Sequence, residues 1–458
     1  MTLATISNHS ADAIFVSWPF GVKWGAIVLL MAALAACGGG GGGDIPPRVA
    51  TPTSAISTLP SNIATRLRDP NVASVYIDGG PTTQGSPWIP NALYTDVKVC
   101  APGDLSQCAV IKHVLVDTGS VGLRLIAQAL PPALLAALPA VNFPRGAPTG
   151  ECLAFISGVT WGGVRSADVR MGGSNFEGQL AAGISVQIIA DPDSRLATVP
   201  AGCAAQGAMM QTTSTLGANG ILGVGLFAHD CGSACASSAR NVYFSCPSAG
   251  ACVRSTMPLP QQVSNPIAAF SSDNNGNTIV VGNLLNGAAV RAEGQLVFGI
   301  ATRQNNALAA GSAILATNSS GYFQSIFNGN MLAESFIDSG SSINFFPSSG
   351  NVFFPPCSAP SDDFYCAASS LTLTATNTGR NASASQASVL IVNATDAFNN
   401  NPDARALLGL AGSGQSASLF DSLDLGMSFF FGRSVATLIE NRAAAGFPMA
   451  GPAFAHTP

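Results

Sequence analysis

The sequence predicts a mostly β protein, and three observations carry that expectation. Val, Ile, Phe and Thr recur in short runs set off by Gly, Asn, Ser and Pro. Hydrophobic residues make up 47% of the chain against 9% charged, and Gly is abundant at 49. Short β-branched and aromatic runs bounded by turn formers are the pattern of strands joined by tight turns. Sustained helical periodicity is scarce, and residues 130–138 are the best candidate for a short helix. At 458 residues the chain has room for two domains or one large bilobal enzyme. A net charge of −5 with only 19 basic residues leaves no basic patch, so nucleic acid is not an expected partner.

The N-terminus adds a statement about location. Lys23 and Trp24 precede an apolar run over residues 25–36, which ends in small residues before Cys37. This resembles a bacterial lipoprotein signal: a basic segment, a short apolar segment, and a Cys to be acylated. The run is too short to span a bilayer comfortably. Residues 1–36 are therefore expected to be removed, with translation starting at Val22 as a variant of that reading. Residues 37–75 read as the lipidated Cys and a flexible Gly-, Pro-, Ser- and Thr-rich tether. Gly38 after the Cys, where no Asp stands, resembles lipoproteins delivered to the outer membrane, facing the periplasm or the exterior.

Cysteine parity agrees with export. Setting Cys37 aside from the eleven cysteines leaves an even number for disulfides. Cys100 with Cys108 and Cys357 with Cys366 are the expected local pairs. Cys152 and Cys203 have no assigned partners. Cys231, Cys235, Cys246 and Cys252 cluster without a standard finger spacing or an internal His, and two disulfides are expected there rather than a zinc site.

The chemistry concentrates in two short stretches. His113-Val114-Leu115-Val116-Asp117-Thr118-Gly119-Ser120 is answered far downstream by Glu334-Ser335-Phe336-Ile337-Asp338-Ser339-Gly340-Ser341. Each delivers an Asp from an apolar strand-like run into a Thr/Ser-Gly-Ser turn. A lone Asp-Thr-Gly is a weak signal, but duplication in matching contexts is a strong one. Each turn is followed downstream by an apolar-Gly run: residues 219–226 after the first and 423–431 after the second.

At this point the chain resembles the pepsin-like aspartic proteases, in which each lobe threads an apolar-apolar-Gly strand behind its catalytic loop. The match continues in order. Residues 94–99 resemble the strand that opens the first lobe, and 155–173 the flap hairpin with the strand beyond it. Residues 275–281 and 294–299 resemble the passage into the second lobe, 327–330 the hairpin before its Asp, and 338–347 its active loop. The resemblance covers roughly residues 90–455. It implies two β-barrel-like lobes around a central cleft, an N-terminal lobe over 76–262 and a C-terminal lobe over 263–458.

The resemblance also implies roles. Asp117 and Asp338 would hold a water between them as a dyad sharing one proton. Thr118 and Ser339 would brace the two loops, Gly119 and Gly340 would let backbone approach the carboxyls, and Ser120 and Ser341 would orient the outer oxygens. Neither metal nor organic cofactor is called for. The partners expected are a peptide or protein substrate, the membrane through Cys37, and no second subunit. The sequence departs from the family at the flap, where Phe155 stands for the usual Tyr and Arg124 for its Trp partner. Gly158 belongs to the same flap, and Trp161 either takes over covering the substrate or, as is commoner for an aromatic in a hairpin, simply packs. Asp424 occupies a position where the apolar-Gly strand calls for an apolar side chain. His113 and His229 are expected to be noncatalytic, and residues 345–346 and 429–431 to be buried strand aromatics. Three functions follow: an envelope aspartic endopeptidase, a pepsin-like fold kept for binding, or a structural lipoprotein whose Asp turns merely close loops.

Overall fold

A computed structural model describes residues 68–81, 89–144, 146–413 and 421–458. The signal segment, Val22, Cys37 and most of the tether lie outside the described residues. Within them the protein is mostly β, with barrel-like sheets. A 15-stranded sheet runs through both halves of the chain, and a 7-stranded sheet belongs to the second half. The large sheet joins the halves through Val72–Ile77, which pairs antiparallel with Ala292–Phe298. That strand pairs with Gly276–Val281, which in turn pairs with Ser434–Leu438.

Elements fall close to their sequence patterns. Tyr94–Ala101 is a strand, and Thr149–Phe155 and Gly158–Met171 form a hairpin closed by the Phe155–Gly158 pair. Phe323–Phe327 and Asn330–Ile337 form the hairpin that leads into the second Asp turn. The short helix is Pro132–Ala137, with a Pro in its first turn, where the fixed φ suits a helix and the missing N–H costs nothing.

Residues 423–431 differ from expectation. Only Asp424–Leu425 is strand; the Met427 amide bonds to Ser341 O at 2.7 Å, and Met427–Phe430 turns helical. Phe429, Phe430 and Phe431 are buried as expected, but from a helical turn and its exit rather than from a strand. In the second half the core is aromatic: Phe346 meets Phe327 and Phe354 edge-on, at centroid separations of 4.9 and 5.6 Å.

The ten described cysteines form disulfides Cys100–Cys108, Cys152–Cys203, Cys231–Cys235, Cys246–Cys252 and Cys357–Cys366. The four-cysteine cluster thus resolves into two local bridges, whose sulfurs are not thiolate ligands. Only Cys152–Cys203 closes a long loop, with a sequence separation of 51. Longer closures restrict the unfolded chain more.

Candidate active site: two aspartate turns on one amide

Both Asp turns are built by the same threading. The strand Asp104–Asp117 delivers Asp117 from a run buried on both faces, and the chain returns as Val121–Ile126. Gly220–Val224 inserts between them, parallel to the first and antiparallel to the second. In the second half Asn330–Ile337 delivers Asp338, and Asp424–Leu425 inserts between it and Asn344–Phe345 with the same pair of directions. A carboxylate at the end of a central strand, with a second strand on each side of its turn, has little freedom to move.

The two turns meet. The Gly119 amide donates to Asp117 Oδ1 at 2.8 Å and to Asp338 Oδ1 at 2.9 Å, so one N–H holds an oxygen of each carboxyl. The Gly340 amide donates to Asp338 Oδ1 at 2.7 Å. Each glycine also lies against the carboxyl of the opposite turn. A Cβ on Gly119 would stand 2.7 Å from Asp338 Cγ, and one on Gly340 would stand 2.5 Å from Asp117 Oδ1. Any larger residue would push the carboxyls apart. The outer oxygens are held from their own turns: Ser120 Oγ donates to Asp117 Oδ2, and Ser341 Oγ to Asp338 Oδ2 at 2.9 Å.

Thr118 and Ser339 lock the turns together by exchange. The Thr118 amide donates to Ser339 Oγ at 3.2 Å, and the Ser339 amide to Thr118 Oγ1 at 2.9 Å. Each hydroxyl then donates to the main chain entering the other turn, Thr118 to Ile337 O at 3.2 Å and Ser339 to Val116 O at 2.8 Å. Four buried bonds, related by a local two-fold pattern, fix the separation of the carboxyls. Asn91 adds a further tie, donating to Ser342 O and Leu407 O at 3.0 and 2.9 Å.

Both Asp residues are fully buried, and the two carboxyls cannot both ionise at such range. Burial raises Asp117 above the ordinary carboxylate range, opposed by hydrogen bonds from Ser120, Asp338 and the Gly119 and Ser120 amides. Burial raises Asp338 further, reinforced by the charge of Asp117 and, once it ionises, that of Asp424. The pair therefore holds one proton, weighted toward Asp338, and the negative charge rests toward Asp117. A narrow concavity reaches the turns beside Gly119, lined by Leu226, Phe227, Tyr322, Phe336 and Ile337.

The residues expected at a flap are placed less simply. Phe155 ends its strand at the hairpin turn, buried against the apolar cluster that includes Leu115, Val121 and Ile221. It carries no hydroxyl to offer a substrate. Gly158 follows the turn, and the hairpin is tied down through Val159, whose amide donates to Ala208 O at 2.8 Å. Trp161 does not cover the site. It is 2% exposed, donates Nε1–H to Leu196 O at 2.9 Å and packs edge-on to Phe244, so its indole has no face free for substrate.

Arg124 has a role that its sequence position does not announce. Its guanidinium is buried and bonds Glu151 Oε1 at 2.6 Å, Asp230 Oδ2 at 3.3 Å and Val121 O at 2.6 Å. Tyr243 donates to Asp230 Oδ1 at 2.6 Å. This network joins the strand after the first turn to the hairpin strand bearing Phe155. Burial and the charge of Glu151 push Asp230 well above the carboxylate range. The signal available was that Glu151 and Asp230 are isolated charges in a chain with few of them.

The remaining candidates lie elsewhere. His113 pairs with Asp78 at 3.2 Å and sits edge-on to Tyr76 and Tyr94, which occupies its ring in packing. His229 is pushed below the usual imidazole range by burial, and its neighbour Cys231 is bonded to Cys235. Among the described residues no His, Cys, Asp and Glu group is spaced to hold a metal ion, and no helix is long and apolar enough to cross a membrane.

No curated protein matches the chain. A family model described as "Protein of unknown function (DUF3443)" matches residues 68–456, which takes in both Asp turns and both supporting strands, and the chain belongs to that family.

Proposed function

We propose that the protein is an aspartic endopeptidase of the bacterial envelope, with a pepsin-like bilobal fold and a cleft over the two Asp turns. The observation that carries the reading is the single Gly119 N–H shared by one oxygen of Asp117 and one of Asp338. Loop-closing carboxylates have no reason to be brought together from opposite halves of the chain; a proton-sharing pair has. Water seated between them attacks the peptide carbonyl carbon while its proton passes to Asp117. The proton on Asp338 passes to the carbonyl oxygen, giving a gem-diol. On collapse Asp117 gives its proton to the departing amide nitrogen, the C–N bond breaks, and one gem-diol hydroxyl returns a proton to Asp338. The acylated Cys37 and its tether would hold the enzyme at the outer membrane.

A second reading, a pepsin-like binding lipoprotein, is favoured by one observation. The flap offers a buried Phe155 in place of a hydroxyl, and the Arg124 guanidinium is tied to Glu151 and Asp230 through Nη2. Binding tolerates that loss more readily than catalysis does. The test is the mature protein on a diverse peptide library across pH 3 to 7, with and without a pepstatin-type inhibitor. Acid-favoured cleavage blocked by the inhibitor supports the peptidase, and inertness throughout sinks it. A binding protein would retain its ligand in Asp117→Asn.

A further inference from the structure

The strand behind the second turn carries an acid where the strand behind the first carries a hydrocarbon. Ile221 pairs with Leu115, two residues before Asp117, and Asp424 pairs with Phe336, two residues before Asp338. Asp424 is fully buried, and its carboxyl oxygens make no hydrogen bond of full geometry, the Ser341 hydroxyl being the polar group close enough to act on them. An ionised carboxylate in that state would stand uncompensated in the interior, so the group keeps a proton. Its strand neighbours on the two sides, Phe336 and Phe345, bear no charge. The Ser342 and Asn344 side chains on the adjoining loop and strand are neutral. The groups acting on it besides its own burial are the Ser341 hydroxyl and Asp117, and it in turn acts on Asp338. The Ser341 hydroxyl stands beside it and donates to Asp338 Oδ2.

We propose that Asp424 is a third carboxyl of the site, a positioning residue that holds its own proton toward Ser341 and leaves the cluster's single negative charge on the Asp117–Asp338 pair. Three carboxyls then carry two protons. As pH rises a second charge must appear, and any share of it on Asp424 tightens the pair's hold on its remaining proton. The form competent for hydrolysis therefore extends further toward alkaline pH than two carboxyls alone allow.

The effect on rate rests on the peptidase reading; the proton on Asp424 does not, and two measurements on the whole chain separate them. In the infrared spectrum at pH 7, the protonated-carboxyl C=O band should lose intensity in Asp424→Asn relative to wild type. In the pH profile of kcat/KM, the alkaline limb should move down by about one unit or more in the same variant, the size expected for losing a like charge at close range. The acid limb should stay in place. Asp424→Leu, which restores the apolar type of Ile221, gives the same two readings if the Asn variant folds poorly. An unchanged carboxyl band overturns the proposal, as does an unmoved alkaline limb in an active variant. Band loss in Asp424→Asn, together with a wild-type protein that cleaves no peptide, upholds the proposal and removes the peptidase reading instead.

Discussion

Asp117 is backed by Ile221, and Asp338, at the same register, by Asp424. The first turn continues into Val121–Ile126 and the buried ionic network of Arg124, Glu151 and Asp230. The second continues into the two-residue strand Asn344–Phe345 and an aromatic core around Phe346. The main-chain plan is one plan, yet the electrical settings differ. A guanidinium buried near the first turn is matched by acids of its own, whereas the second turn has an extra acid and no matching base acting on it. Duplication of the backbone thus leaves room for the two carboxyls to be inequivalent, which a pair sharing one proton needs.

Four experiments test whether the two turns differ in this way. The largest concerns the first turn's network. Glu151→Ala should cost about 3–5 kcal/mol in denaturant unfolding, because Arg124 would be left buried with its main partner gone. Replacing Arg124, Glu151 and Asp230 together by apolar residues should cost much less. Next come the glycines: Gly119→Ala and Gly340→Ala should each cost about 1–3 kcal/mol through overpacking against the opposite carboxyl. Equal losses would show the two approaches to be equally tight. Thr118→Val and Ser339→Ala should each cost about 1–3 kcal/mol by leaving a buried amide without its acceptor. Their double mutant should cost less than the sum, since the two residues share bonds.

The smallest effect is on pH dependence. A carboxyl whose folded pKa lies above its unfolded value contributes stability that is complete below the unfolded value, about 3.9 for Asp. That contribution is lost as pH rises through the folded value. Asp338 is raised further than Asp117, so Asp338→Asn should flatten the decline of stability between pH 4 and 8 more than Asp117→Asn does. Equal flattening in thermal melts would make the turns equivalent after all.

What could be read from the sequence was what repeats or is local. The Asp turns were visible because a strand, an acid and a Gly recur in one order, and the supporting runs because a mostly apolar stretch with a Gly follows each turn, broken in the second by Asp424. Cys100–Cys108 and Cys357–Cys366 are close along the chain. Long-range chemistry was not legible. Nothing near Arg124 in sequence names Glu151 or Asp230, which arrive from a strand 27 residues away and a loop 106 residues away. Trp161 looked like a cover because its hairpin was recognised, but the alternation of a strand decides which face a side chain takes, and its face is internal. Asp424 was conspicuous in sequence as a breach of pattern. Only burial without a hydrogen bond of full geometry gave the breach a physical meaning.

The central claim is that Asp117 and Asp338 act as one chemical unit, and one measurement addresses it directly. Peptide cleavage at acid pH should be compared in the wild-type protein, Asp117→Asn, Asp338→Asn and the double variant. The account predicts that each single variant loses activity by about 10³-fold or more, and that the double variant is no worse than either, as for groups that function only together. Retention of cleavage in either single variant, or losses that multiply in the double, would contradict it.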